Sequence, residues 1–209
     1  MSNRAGLLSQ FDQALILQEI SLDEEVQRKL IDYLLLLERW NKTYNLTAVR
    51  DPESMVSRHL IDSLTILPYL DGKRFIDVGT GAGLPGMVSA IAMPETQWVL
   101  LDSNQKKTRF LTQVVIELGL GNVEVVHCRI EDYQDNTGFD MATSRAVTTL
   151  VELVKQVEHL CQNLLAMKGQ IPDDELKELP ESCSVSIYQI QIVTEQVNRT
   201  IITIKNKNQ

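Results

Sequence analysis

Apolar residues in the first third of the chain recur at three- and four-residue intervals, which is the spacing of amphipathic helices. One such stripe covers positions 7–20, and a second covers positions 26–40. A shorter helix is predicted over 51–64, before a proline and an Asp-Gly pair make a turn. The pattern therefore predicts an N-terminal helical cap over residues 1–71.

From position 74 the pattern changes to short apolar runs that alternate with helical stretches. The predicted strands cover 74–78, 98–102, 123–127, 139–143 and 164–167, and the helices between them cover 85–93, 104–118 and 147–160. Two further strands, 184–192 and 198–205, close the chain. Repeated βα units predict an α/β fold with a mostly parallel, Rossmann-like sheet, to which the last two strands add an antiparallel hairpin. This core is predicted to span residues 72–209.

A cluster of glycines directly follows the first predicted strand. The glycines are Gly79, Gly81, Gly83 and Gly86. Glycine tolerates positive φ and lets a ligand approach the backbone, and Pro85 suits the first turn of the helix that follows. A strand, a glycine turn and a helix N-terminus together form a nucleotide-type pocket, so this context favours ligand binding over a purely structural turn.

The spacing of these glycines distinguishes between ligands. The dinucleotide fingerprint Gly-x-Gly-x-x-Gly would place its third glycine at Leu84, which disfavours a nicotinamide-dependent oxidoreductase. The run Asp-Val-Gly-Thr-Gly-x-Gly, which begins at Asp77, instead resembles motif I of the class I methyltransferases that bind S-adenosylmethionine.

Ligands of open α/β sheets bind at the carboxyl ends of the strands, which draws attention to the loops there. Asp102 is at the end of the second predicted strand, about 20 positions after the glycine loop, where an acidic residue typically binds ribose hydroxyls. Asp102 or Ser103 could equally cap the helix over 104–118, and the two roles of Asp102 could coexist. After the third strand, backbone groups near Ile130 and Glu131 could read an adenine edge, and a solvated turn with an arginine–acid pair is the alternative.

Arg145 follows the fourth strand, where a positive charge facing a pocket is unusual unless it meets an anion. It could hold a substrate phosphate, the cofactor carboxylate or an acid in the cleft. The structural alternative is an ion pair with Asp77 or Asp102. His59 is a weaker candidate for a substrate contact, because it lies in the polar part of the helical cap.

Charge and composition narrow the classes of partner. A net charge of −8 over 209 residues argues against a general nucleic-acid coat. An RNA partner would therefore be bound through a local patch, for which the candidate cations are Lys106, Lys107, Arg109 and Lys168. Three cysteines at unrelated spacings make no zinc motif, and no metal is predicted. With no long apolar run or secretory leader in view, we expect a cytoplasmic protein without a membrane partner.

Short motifs along nearly the whole chain resemble the RsmG (GidB) family of bacterial small-subunit (16S) ribosomal RNA methyltransferases. Besides the glycine motif, they are Trp-Asn-Lys-x-Tyr-Asn-Leu-Thr from Trp40, His-x-x-Asp-Ser from His59, Leu-Leu-Asp-Ser from Leu100, Arg-x-Glu from Arg129, Ser-Arg-Ala from Ser144 and Lys-Gly-Gln from Lys168. The resemblance implies a class I methyltransferase fold with an N-terminal helical extension. It also implies transfer of a methyl group from S-adenosylmethionine to N7 of one guanine.

The resemblance extends to individual residues. With the residues selected above, the candidate cofactor-binding set is Gly79, Gly81, Gly83, Leu84, Asp102, Ile130, Glu131 and Arg145. The catalytic candidates are Arg145, Asn45 and Lys168. The expected partner is small-subunit ribosomal RNA or the assembling 30S subunit, bound by a monomer.

Two missing motifs agree with methylation at N7. The Asn-Pro-Pro-aromatic signature of methylation at exocyclic amino groups is absent, and so is the Pro-Cys nucleophile of cytosine-C5 methylation. N7 of neutral guanine can attack without first losing a proton, so the reaction should need neither covalent catalysis nor a metal. Two alternatives stay open, namely a methyltransferase of a small metabolite and a non-catalytic ribosome-assembly factor that binds RNA.

Overall fold

The computed structural model of the protein describes residues 3–145 and 148–207. Helices make up the N-terminal region, and they are α1 (Arg4–Leu17), α2 (Glu24–Tyr44), α3 (Pro52–Met55) and α4 (Asp62–Leu64). A π-helix, Val56–Ile61, joins α3 to α4, and a 3₁₀ turn, Leu67–Tyr69, precedes the first strand. The helix predicted over 51–64 is therefore a continuous helical run, but a π-helical turn occupies its middle.

Seven strands form one mixed sheet in the order β3-β2-β1-β4-β5-β7-β6. The strands are β1 (Arg74–Val78), β2 (Gln97–Leu101), β3 (Val123–Val126), β4 (Met141–Arg145), β5 (Asn163–Lys168), β6 (Cys183–Ile192) and β7 (Val197–Asn206). Strands β1 to β5 pair in parallel, whereas β7 runs antiparallel to both β5 and β6. The predicted α/β fold, with a Rossmann-like sheet and a C-terminal antiparallel hairpin, is confirmed. The strand order reverses between β1 and β4, which places a crevice at the carboxyl ends of these strands.

The remaining helices lie between the strands. They are α5 (Gly86–Ala92), α6 (Gln105–Leu118), α7 (Leu150–Val157) and α8 (Asp173–Lys177), and a 3₁₀ turn, Ile130–Asp132, follows β3. Across the described residues, none of the helices has the length and apolar character needed to cross a lipid bilayer.

Two predicted boundaries around β4 were wrong. The strand begins at Met141 rather than at position 139, because the Phe139 amide bonds to the Leu160 carbonyl, outside the ladder with β1. Helix α7 begins at Leu150 rather than at position 147, because Thr149 has an extended backbone (φ −69°, ψ 158°) and its hydroxyl accepts a hydrogen bond from an amide of the first turn. Positions 146 and 147 lie outside the described residues.

Hydrophobic side chains cover both faces of the sheet. On one face, α1 and α2 pack together with α5 and α6 over Phe75 and Leu100. On the other face, α7 packs over Ile76 and Val99. The N-terminal helices and the sheet therefore share one continuous apolar cluster, whose burial stabilises both. The boundary predicted at residue 71 falls in the turn before β1, and the division into two domains stays a prediction.

Candidate functional site

A cleft of about 530 Å³ opens at the carboxyl ends of β1, β2 and β4, where the strand order reverses. This volume falls in the range typical of small-molecule sites. All the predicted cofactor-binding residues except Gly83 line it, and they are Gly79, Gly81, Leu84, Asp102, Ile130, Glu131 and Arg145. The topology thus brings together side chains and loops that lie up to 66 positions apart in the sequence.

Gly79 and Gly81 shape the loop after β1. Both have positive φ, 65° and 63°, in the region that favours glycine. The Thr80 amide donates to the Leu101 carbonyl at 3.1 Å, and the Gly81 amide donates to Asp102 Oδ2 at 2.9 Å. These two hydrogen bonds tie the loop to the end of β2, so the glycine backbone is held at the wall of the cleft.

Gly83 and Gly86 instead allow close packing beneath the loop. A Cβ on Gly83, whose φ is 98°, would lie 2.6 Å from Met87 Cβ. A Cβ on Gly86 would lie 2.6 Å from Asp77 Cβ and 2.5 Å from Leu100 Cδ2. The two glycines let α5 begin directly against the sheet. Gly83 does not line the cleft, and its contact with a cofactor stays a prediction.

Asp77 is fully buried beneath the glycine loop. Its Oδ2 accepts a hydrogen bond from the Gly86 amide and its Oδ1 accepts one from the Thr143 hydroxyl, each at 2.9 Å. Burial raises the pKa of its carboxyl to about 6, although these hydrogen bonds favour the ionised form. Asp77 therefore fixes the start of α5 against β1 and β4 and does not line the cleft.

Asp102 connects the glycine loop to α6. Besides the Gly81 amide, its oxygens accept hydrogen bonds from the Asn104 amide at 2.8 Å and from Lys107 Nζ at 3.4 Å. The N-cap of α6 is Asn104, whose side chain accepts the Lys106 amide, so the alternative in which Asp102 caps this helix is wrong. Each carboxylate oxygen has about two acceptor sites, so these three hydrogen bonds leave one site, on Oδ1, without a partner among the described residues.

Arg145 ends β4 and lines the cleft, but its partner is neither of the acids named from the sequence. Its Nη1 donates to Asp62 Oδ2 at 3.0 Å, and Asp62 is buried. The alternatives of an ion pair with Asp77 or Asp102 are therefore wrong. Arg199 Nε donates to the other oxygen of Asp62 at 2.8 Å, so one carboxylate holds two guanidinium groups.

Asn45 and Lys168, the other predicted catalytic residues, do not line the cleft. Asn45 is the left-handed C-cap of α2 (φ 51°), and its Oδ1 accepts a hydrogen bond from Arg50. Lys168 Nζ contacts both oxygens of Glu175, at 3.1 and 2.9 Å. Their roles in the reaction stay predictions.

Thr47 is a cleft residue that the sequence reasoning missed. Its hydroxyl lies 2.9 Å from His59 Nε2, in a hydrogen bond that joins the segment after α2 to the π-helix. Burial lowers the pKa of His59 to about 4, so the imidazole is neutral near pH 7. His59 is itself buried and does not line the cleft, so it supports Thr47 from behind. In the sequence, Thr47 belongs to the Asn-Leu-Thr motif and His59 to the His-x-x-Asp motif, and these motifs were the signal that could have identified Thr47 as a cleft residue.

The sheet order, the glycine loop after β1 and the acidic residue after β2 define a class I methyltransferase of the Rossmann-like type. Among solved structures, the chain is similar to a SAM dependent methyltransferase from Aquifex aeolicus, with a TM-score of 0.56 and 18% identity. That match covers 77% of this chain and 97% of the other chain. At this level of identity the likeness concerns the fold alone.

The chain belongs to the GidB family, rRNA small subunit methyltransferase G, whose sequence model matches residues 26–202. The ribosomal RNA small subunit methyltransferase G of Stutzerimonas stutzeri (strain A1501) is 55% identical over 167 residues, which are 78% of this chain and 78% of the relative. The protein of the same name from Nitrosococcus oceani is 50% identical over 188 residues, 86% of this chain and 88% of the relative. The resemblance inferred from the motifs is confirmed.

Proposed function

We propose that the protein transfers a methyl group from S-adenosylmethionine to N7 of a guanine in bacterial small-subunit (16S) ribosomal RNA. The observation that carries the proposal is the glycine loop, held by Asp102 at the wall of a cleft, in a chain of the small-subunit methyltransferase family. The substrate is this RNA, either free or within the assembling 30S subunit.

The residues of the cleft fit this methyl donor. The positive-φ glycines let the backbone approach its methionine part, and Asp102 keeps one acceptor site for a ribose hydroxyl. Ile130 is buried at the wall and offers an apolar surface to the adenine ring, next to the exposed Glu131. Beneath the loop, a Cβ on Gly83 or Gly86 would overlap Met87 or Asp77, so these two glycines fix the path of the loop that borders the cleft.

Methyl transfer to N7 requires little acid–base catalysis by side chains. When bound, S-adenosylmethionine supplies an electrophilic sulfonium methyl group. N7 of neutral guanine carries a free in-plane lone pair, so the protein needs no general base at this atom. Its residues have to align the base, exclude water and accept the positive charge of the product ring.

The target guanine must leave its helical stack to reach the cleft. The deep, narrow major groove of an RNA duplex hides N7, so we expect a splayed or single-stranded guanine. Asp102 and Lys107 border the cleft on the β2 side and Arg145 borders it on the β4 side, so we expect the guanine to enter on the β4 side, away from the ribose site.

The test is in vitro methylation of unmodified small-subunit ribosomal RNA with isotopically labelled S-adenosylmethionine, followed by nuclease digestion and mass spectrometry. We expect one 7-methylguanine at one position, and no product with a Gly79→Leu variant, whose side chain would enter a positive-φ position at the cleft. Methyl transfer to free small molecules instead of RNA would contradict the proposal. RNA binding without any turnover would favour the assembly-factor alternative.

A further inference from the structure

We propose that Asp62 positions Arg145 and Arg199 as a paired guanidinium site for a phosphodiester of the RNA, next to the target guanine. The inference rests on the proposed function, because the anion it assigns belongs to the RNA substrate. Asp62 Oδ2 accepts Arg145 Nη1 at 3.0 Å, and Asp62 Oδ1 accepts Arg199 Nε at 2.8 Å.

The three residues come from separate elements that meet at one edge of the sheet. Arg145 ends β4 and pairs with Met167 of β5, while Lys168 of β5 pairs with Thr200 of β7. Arg199 therefore lies at the same edge as the carboxyl ends of the parallel strands. This edge lies on the opposite side of β1 from Asp102 and the adenosine end of the cleft. Arg145 lines the cleft at this edge, and the partly exposed Arg199 lies next to it outside the cleft lining, on the other oxygen of Asp62.

The local charge favours an anion. Arg145, Arg199 and Asp62 together carry a net charge of +1, on a protein whose net charge is −8. Three neighbouring cations each pair with one acid, in Lys107–Asp102, Lys168–Glu175 and Arg58–Glu195. Arg129 follows β3 at the far side of the cleft and has no ion pair within the described residues. On the β4 side, the positive excess therefore lies at the shared carboxylate.

The guanidinium groups also keep donors for a ligand. Arg145 Nη1 donates to Asp62 and to the Arg58 carbonyl. The other donor atoms of Arg145, Nε and Nη2, have no hydrogen-bond partner within residues 3–145 and 148–207. Arg199 uses Nε and Nη1, which leaves Nη2 without a partner in the same ranges. The side chains of Arg145 and Arg199 are 22% and 30% exposed, so solvent and ligand can reach them. Planar guanidinium donors match phosphate oxygens in geometry and charge.

The first test compares Arg199→Gln with Arg58→Gln, which makes the same change of charge on the same face but removes an arginine that Glu195 already neutralises. The probe is unmodified small-subunit ribosomal RNA, titrated at several salt concentrations. For Arg199→Gln we expect about tenfold weaker binding and a salt slope lower by about 0.7–1, with unchanged affinity for S-adenosylmethionine. For Arg58→Gln we expect less than about a twofold change. Equal effects of the two variants would overturn the phosphate site.

The second test separates positioning from charge. Asp62→Asn removes the anchor while raising the local charge to +2, so RNA affinity should hold or rise, whereas kcat/KM for RNA should fall about tenfold or more. Asp62→Glu should restore part of the turnover. An unchanged kcat/KM in Asp62→Asn would overturn the positioning role. A wild-type protein that neither binds nor methylates RNA would overturn this inference and the proposed function together, whereas the outcomes for the variants concern this inference alone.

Discussion

Gly86 and Asp77 show how closely single residues are constrained beneath the glycine loop. The Gly86 amide donates to Asp77 Oδ2 at 2.9 Å, and both residues are buried. The contact requires the α5 backbone to approach β1 with no intervening side chain. The loop that lines the cleft therefore depends on a glycine that does not line the cleft itself.

We expect Gly86→Ala to destabilise the protein by about 1–3 kcal/mol, because the added methyl group would overlap the carboxylate of Asp77 and the side chain of Leu100. Urea unfolding measures the change in the free energy of unfolding. Gly121→Ala is the matched control, since a Cβ there meets no atom within 4 Å. Equal stabilities of the two variants would contradict the close-packing account.

At the scale of elements, the N-terminal helices support the cofactor loop directly. The hydroxyl of Tyr33, on α2, donates to the Ala82 carbonyl at 2.8 Å, and Tyr33 is fully buried. Its ring packs near Phe110 of α6, with ring centroids 6.2 Å apart. The helical cap is therefore more than an appendage, because one of its side chains holds the glycine loop from below.

Replacing Tyr33 by Phe tests this support with the loss of one oxygen atom. The change leaves a buried carbonyl unpaired, so we expect a loss of about 1–3 kcal/mol in stability and several-fold weaker binding of S-adenosylmethionine. Isothermal titration calorimetry measures the affinity. Tyr69→Phe is the control, because Tyr69 packs against Tyr188 away from the cleft lining and should bind the donor normally. An unchanged affinity of Tyr33→Phe for S-adenosylmethionine would contradict a role of the helical cap in cofactor binding.

The elements themselves were largely predictable from the sequence, because the signals that define them are local. Periodic apolar residues and glycine punctuation predicted the parallel strands and the hairpin, and the glycine spacing predicted the loop after β1. The π-helix over Val56–Ile61 was not predictable, since its apolar residues fit an α-helix equally well.

Contacts between distant positions were the part that local reasoning could not supply. Arg145 was singled out for its place after a strand, but its partner Asp62 lies 83 positions away on a helix whose docking no local pattern encodes. The same holds for Arg199, which reaches Asp62 across 137 positions. Pairings of this kind depend on tertiary packing, so the sequence indicates the side chain and the fold selects its partner.

At the scale of the whole molecule, the cleft is connected to one shared core. The cluster that contains α1 and α2 also contains the sheet residues Phe75, Leu100 and Ile201. The glycine loop is bonded on one side to β2 and on the other side to α2. Cap and sheet should therefore unfold together, and a ligand held by the loop should stabilise both.

Thermal unfolding with S-adenosylmethionine tests this coupling. At about 100 times its dissociation constant, a ligand that binds the native state adds about 2.7 kcal/mol, which for a chain of this size raises Tm by about 5–10 °C. We expect a single transition that shifts as a whole, with a similar shift for the demethylated product. Asp102→Ala should lose most of the shift, because it removes the acceptor that holds the Gly81 amide and faces the cleft. The control Asp174→Ala, on the exposed α8, should keep it. A second transition that the donor leaves unmoved would show that the N-terminal helices unfold independently of the site.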